Sequence, residues 1–188
     1  MPQIKATVSI ENVVASATLN QKIDLNSVVK GSLDGVVTYN PVKFPGLVFR
    51  LKRPKTATLI FSSGKMVCAG AKSEQEARRA VLNVVKELKK IGIIIVSKPA
   101  LKIQNIVASV VLGGTVDLEK VAYMLRNTMY EPDQFPGLIY RMDDPKVVIL
   151  LFASGKMVCT GAKREADVHI AVEKMHDILE ETEFIIYE

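Results

Sequence analysis

The sequence has no tryptophan, only two cysteines and two histidines, and an aromatic fraction of 6%. Cys68 and Cys159 have no CxxC spacing. They exclude a zinc cluster or a disulfide framework and read as buried thiols of an intracellular chain. His169 and His176 lie seven apart in the last helical stretch, with no Cys or carboxylate trio to complete a metal site, and read as a solvated helix face. No P-loop, dinucleotide fingerprint or nucleophile elbow is present. The paired carboxylates Asp143 and Asp144 sit beside Pro145 and read as a turn. Neither catalysis nor a cofactor or metal is expected. Apolar runs such as Val147 to Phe152 are strand-sized, well short of the ~20 residues that span a bilayer. Met1-Pro2-Gln3-Ile4-Lys5 lacks the apolar region of a signal peptide. The expectation is a soluble intracellular protein with no membrane partner.

What is there is apolar and basic. Hydrophobic residues make up 48% of the 188, enough for a substantial core, and the net charge is +5. A surplus of this sign favours a polyanionic partner. Residues 1–93 hold 15 Lys/Arg against 6 Asp/Glu, and residues 94–188 hold 10 against 14. The surplus belongs to the first half alone.

An internal repeat organises the chain into residues 1–93 and 94–188. Phe44-Pro45-Gly46-Leu47 recurs as Phe135-Pro136-Gly137-Leu138, and Gly64-Lys65-Met66-Val67-Cys68 as Gly155-Lys156-Met157-Val158-Cys159. From Phe44 to Lys72, 18 of 29 positions are identical at an offset of 91, where chance gives roughly two. Asn12-Val13-Val14-Ala15-Ser16 matches Asn105-Ile106-Val107-Ala108-Ser109 at an offset of 93, so the first copy holds two extra residues between Val29 and Tyr39. Two similar halves about a pseudo-twofold axis suit a ligand with its own approximate twofold, such as duplex DNA.

Each copy runs in the same order. A strand over Ser9–Ser16 precedes a short helix over Asp24–Lys30, with Asp24 as N-cap. Strands follow around Val36–Tyr39, Leu47–Leu51, Thr56–Phe61 and Met66–Ala69. A long helix begins at a Ser73/Glu76 capping box and stops at Gly92. Ala77, Val81, Val84, Leu88 and Ile91 form its apolar stripe, as Val168, Ala171, Val172, Met175 and Leu179 do in the second copy. One long and one short helix cover one face of a five-stranded sheet, and such a sheet should alternate apolar and polar residues. These strands do not: Val147 to Phe152 is apolar throughout. The second face needs cover of its own. Three readings fit: a homodimer, an apolar small molecule held in a helix-grip cavity, or a partner with a broad uncharged floor such as a DNA minor groove.

Ile103-Gln104-Asn105-Ile106-Val107, Tyr130-Glu131-Pro132, Phe135 to Met142, Pro145-Lys146 and Ser154 to Lys163 resemble the TATA-binding protein family, and the resemblance covers the whole chain. The similarity of the halves and the short lead into the first repeat resemble its archaeal form. The resemblance implies an α+β fold in which two pseudo-symmetric repeats form a ten-stranded antiparallel saddle with helices on the convex face. It implies a general transcription initiation factor that binds the TATA box of double-stranded promoter DNA in the minor groove and bends it. Expected partners are transcription factor B and the RNA polymerase assembly, with a homodimer as the DNA-free form. Nuclease and glycosylase accessory domains share such halves and stand as a further alternative.

By position, the resemblance makes Phe44, Phe61, Phe135 and Phe152 intercalating wedges, each pair 17 apart. It assigns groove-floor and base contacts to Asn12, Val14, Pro45, Leu59, Val67, Asn105, Val107, Pro136, Leu150, Val158 and Thr160. Arg50, Lys65, Lys72, Arg141, Lys156 and Lys163 become phosphate contacts. Glu131 and Asp133 become contacts to transcription factor B. Two pairs break the symmetry, since Ala69 stands opposite Thr160 and Lys43 opposite Gln134.

Overall fold

The computed structural model describes residues 6–188. The chain divides into two compact units, Asn12–Gln104, and Asn105–Glu188 together with the residues up to Glu11. Each is an antiparallel sheet carrying helices on one face, so the class is α+β.

In the first unit, β1 (Thr7–Thr18, lying here from Asn12 on) leads into helix α1 (Leu25–Gly31). The strands β2 (Val37–Thr38), β3 (Leu47–Lys52), β4 (Lys55–Ile60) and β5 (Lys65–Ala71) precede helix α2 (Glu74–Lys90). The sheet order is β2-β3-β4-β5-β1. The second unit repeats the plan with β6 (Ala100–Val111), β7 (Thr115–Val116), α3 (Leu118–Met124), β8 (Thr128–Met129), β9 (Leu138–Met142), β10 (Val147–Leu151), β11 (Lys156–Ala162) and α4 (Glu165–Glu181). Its sheet order is β6-β11-β10-β9-β8, and a last short strand, β12 (Ile185–Ile186), pairs with β7. Ten strands thus form the main sheets, five per repeat.

The helices begin where side chains satisfy the first free N–H groups. Asp24 accepts from the amides of Asn26 and Ser27. The Ser27 hydroxyl also donates to Asp24 Oδ2 at 2.9 Å, and this bond first, with the amides after it, holds the carboxyl below the usual carboxylate range. Ser73 Oγ accepts from Glu76 N–H at 3.0 Å, and the helix ends at Ile91 followed by Gly92 at φ +93°. The equivalent of Ser73 is Arg164, whose side chain makes no such cap. It pairs with Asp167 instead, at 2.6 Å. The two extra residues of the first copy lie in the turn after the short helix. Five residues separate Gly31 from Val37, and three separate Met124 from Thr128.

Burial follows strand parity. Along β10, Val147, Ile149 and Leu151 are buried while Val148 and Leu150 are half-exposed, although all five are apolar. In the first half the buried strand residues Leu47, Phe49, Ile60, Met66 and Cys68 pack with Ala80, Val81, Val84 and Leu88 of α2. Val168, Ala171, Val172, Met175 and Leu179 are the buried face of α4. Leu47, Ile60 and Leu88 have no exposure and Met66 only 1%, so side chains fill the helix–sheet layer of the first half.

Ser73→Ala removes the α2 cap and should lower unfolding stability by about 1 kcal/mol, read from the midpoint of a denaturant titration at unchanged slope.

Candidate nucleic-acid interface

The site begins with the face that the helices leave bare. In the first half Val48, Leu59, Val67 and Ser16 are successive cross-strand partners, a row running over β3, β4, β5 and β1. In the second half Ile139, Leu150, Val158 and Ser109 form the same row. Every one of these eight residues is half-exposed. Val14 and Val107 share this state and this parity on β1 and β6, next to Asn12 and Asn105. The result is a shallow apolar strip in each half, three side chains and a hydroxyl wide.

Cations stand at the ends of the strip. Arg50 lies two residues beyond Val48 on β3 and Lys65 two before Val67 on β5, both exposed and of matching parity. Arg141 and Lys156 repeat the arrangement. The Arg50 guanidinium donates to Thr38 Oγ1 at 2.7 Å, which steadies it over the end of the sheet. Lys72 and Lys163 are exposed just after β5 and β11.

One irregularity gives the strip its polar centre. The pairing of β1 with β5 slips between Val13 and Ala15, and that of β6 with β11 between Cys159 and Ala162. The extra residue in each bulge is at Gly70 or Gly161, with φ of +99° and +96°, a region that favours glycine. A bulge takes an N–H out of the ladder. Gly70 N–H donates instead to Asn12 Oδ1 at 2.7 Å, and Gly161 N–H to Asn105 Oδ1 at 2.7 Å. Because a backbone donor must meet the carbonyl end of the amide, this bond settles which way each carboxamide points. Nδ2 is then the donor end of each carboxamide. Asn105 Nδ2 lies 3.3 Å from Thr160 Oγ1, leaving that hydroxyl a proton to donate. Ala69 offers Asn12 no such neighbour, so the halves differ by one hydroxyl.

At the outer end of each strip stands an aromatic pair. Phe44 and Phe61 meet edge to face with ring centroids 6.0 Å apart, and Phe135 and Phe152 at 5.8 Å. The outer rings are the more open, Phe44 at 43% and Phe135 at 38% exposure. The Phe-Pro-Gly order has a steric reason. A Cβ at Gly46 or Gly137 would lie 2.7 Å from the Phe44 or Phe135 ring. The glycine lets the chain double back under its own aromatic ring, and Pro45 and Pro136 are exposed beside it. An open groove of about 720 Å³ adjoins Phe61, lined by Ser16, Lys65 and Val67. Another of about 510 Å³ adjoins Phe152, lined by Ser109, Lys156 and Val158.

The sequence reasoning named Asn12, Val14, Leu59 and Val67 with their counterparts, and the structure gathers each half's set on one face. It missed Val48, Ile139, Ser16 and Ser109, which complete the rows, and the bulge glycines. The signal for Gly70 and Gly161 was present, since they occupy matching positions of the repeat. Glu131 and Asp133 are exposed in the turn before Phe135, and Glu131's carbonyl accepts the Phe135 amide at 2.9 Å.

A family model described as "Transcription factor TFIID (or TATA-binding protein, TBP)" matches residues 7–91 and again 100–182. The chain belongs to the TATA-binding protein family. The double match is the internal repeat seen from outside, and this is a family of transcription factors, not of enzymes. The TATA-box-binding protein of Sulfurisphaera tokodaii is 54% identical over 187 residues, covering 98% of this chain and 93% of that protein. That of Methanothermobacter thermautotrophicus is 53% identical, covering 95% and 97%. Among solved structures, Methanococcus jannaschii TBP matches with a TM-score of 0.83 at 49% identity, covering 93% of this chain and 98% of that one.

Parity also settles the cysteines. Cys68 and Cys159 have no exposure, on the helix side of β5 and β11. Burial raises both thiols, Cys159 to about 11. The thiolate, which is the reactive form, is therefore disfavoured in the fold. Neither should be alkylated by iodoacetamide at pH 8 in the folded protein, and both should react once it is denatured, as mass spectrometry would count.

Proposed function

We propose that this chain is a TATA-box-binding general transcription initiation factor that holds promoter DNA by its minor groove and bends it. The observation that carries the reading is the pair of bulge-fixed carboxamides, Asn12 and Asn105, each set in an apolar strip that ends in an edge-to-face Phe pair. Family membership supports it, and the relatives bear the name TATA-box-binding protein.

The chemistry follows from what a minor groove offers. A·T and T·A pairs present only the acceptors A N3 and T O2 there, and a G·C pair adds an amino donor. An Nδ2 donor matches the first pattern and meets a donor in the second. Val14, Leu59, Val67 and their counterparts supply contact without hydrogen bonds, which suits either A·T orientation. Pro45 and Pro136 add to that groove contact, and the four Phe rings are the wedges. Prying a base step apart costs a few kcal/mol, and the bend it produces brings more groove against the apolar strip. Arg50, Lys65, Lys72, Arg141, Lys156 and Lys163 neutralise phosphates and set affinity and its salt dependence, not sequence choice.

With the DNA side so occupied, exposed Glu131 and Asp133 form the surface for transcription factor B, which brings the RNA polymerase assembly. Without DNA the apolar strips stay bare, and a homodimer closed over them is the free form. The working place is the intracellular, DNA-bound one.

The test is a titration of an end-labelled TATA duplex and a G·C-substituted duplex, each at two salt concentrations, with end-to-end distance read by energy transfer. Tight TATA binding, weaker G·C binding and a shortened TATA duplex are expected. Equal binding of the two duplexes, or an unchanged length, contradicts the reading. Phe135→Ala should reduce the bend more than Lys156→Ala does. Lys156→Ala should lower the slope of log K against log salt by about 1.

A further inference from the structure

The turn that carries Phe152 does not stand alone. Phe152 N–H donates to Lys156 O and Gly155 N–H to Phe152 O, both at 2.9 Å. The segment 112–117 is bonded to this turn on one side, with Leu112 N–H to Gly155 O and Val116 N–H to Ala153 O, each 2.9 Å. On its other side the same segment meets the chain that follows α4. Val116 and Thr115 pair with Ile185 and Ile186, and Asp117 N–H donates to Phe184 O at 3.1 Å. No slack separates the three layers. A Cβ at Gly155 would lie 1.8 Å from Gly114 O, and one at Gly114 would lie 2.7 Å from Ile186 O and 2.8 Å from the Tyr187 ring.

The outermost layer is tied down in its turn. The Tyr187 hydroxyl donates to Glu180 Oε1 of α4, and His176 Nε2 of the same helix lies 2.9 Å from that hydroxyl. Glu180 Oε1 is also 3.3 Å from His176 Nε2. Burial first, and Glu180 after it, push the Tyr187 hydroxyl up to about 12, so it remains a donor at neutral pH.

The first half solves the same problem with other residues. Leu19 N–H and Ile23 N–H donate to Gly64 O and Ser62 O of the Phe61 turn. Behind that segment, Gln21 bonds the chain that leaves α2, donating to Ile94 O at 2.6 Å and accepting from Val96 N–H at 3.3 Å. There the brace is the chain that follows α2, held by Gln21. In the second half it is the chain that follows α4, held by Tyr187.

We propose that Phe184–Tyr187 is a positioning element for the Phe152 wedge, with Tyr187 as its anchor on α4. It acts through the 112–117 segment and touches no DNA itself. The proposal rests on the reading of Phe152 as a wedge.

Two variants test it. Tyr187→Phe keeps the ring against Gly114 and removes the hydroxyl, and Gly114→Ala forces the final strand outward. In the DNA-free protein, amide exchange at Phe152 and Gly155 should rise about tenfold in both, while the Phe61 turn keeps its wild-type rate. On a TATA duplex with a 2-aminopurine reporter at each opened step, the reporter silenced by Phe152→Ala should lose about half its signal in both variants. The reporter silenced by Phe61→Ala should hold. Unchanged exchange in both variants overturns the proposal. So do two reporters that fall equally, since Tyr187 would then serve the fold as a whole. If wild-type protein excites neither reporter, the wedge reading fails, and the exchange rates judge the brace by themselves.

Discussion

A strand that is apolar on both faces has to keep both faces from water, and this chain has helices for only one. That constraint governs the rest. Val147, Ile149 and Leu151 vanish under the helices while Val148 and Leu150, no more polar, stay half-exposed. An exposed strip of this kind costs solubility unless a partner covers it. The strip is shallow, bordered by arginine and lysine, and polar only at the Asn amides and a few hydroxyls. That shape and charge suit the partner proposed for it, a minor groove with its broad uncharged floor and phosphate rims.

The polar centre follows from sheet geometry. Each bulge frees one N–H, and the nearest carboxamide takes it, so the amide cannot rotate. The donor end is then held ready before any ligand arrives, and less ordering remains to be done on binding. The same device appears twice because the sequence repeats. The hydroxyl of Thr160 marks where the copies have drifted apart.

Much of this was legible in the sequence because duplication shows itself without alignment. The Ser73 cap, the apolar stripes of both long helices and the stop at Gly92 followed from helix periodicity and end chemistry. The turn that holds the two extra residues lay within the predicted interval. The uncovered sheet face could be inferred from strands too apolar for their single layer of helices. The bulges could not, because a register slip of one residue depends on pairing between strands far apart in sequence. Gln21 and Tyr187 were equally silent. Their importance comes from what lies behind the Phe61 and Phe152 turns, and neither residue falls in the repeated motifs. The cap at Arg164 was the plain asymmetry, since the second long helix starts without the serine that begins the first.

The central claim is that the half-exposed strand face, not the helix face, is the DNA seat. Methyl-labelled NMR of the protein titrated with a TATA duplex tests it most directly. Val67, Val158, Leu59 and Leu150 should shift strongly, while the exposed helix-face methyls of Leu82 and Ile170 hold their positions. Strong shifts at Leu82 and Ile170 with Val67 and Val158 unmoved would contradict the account.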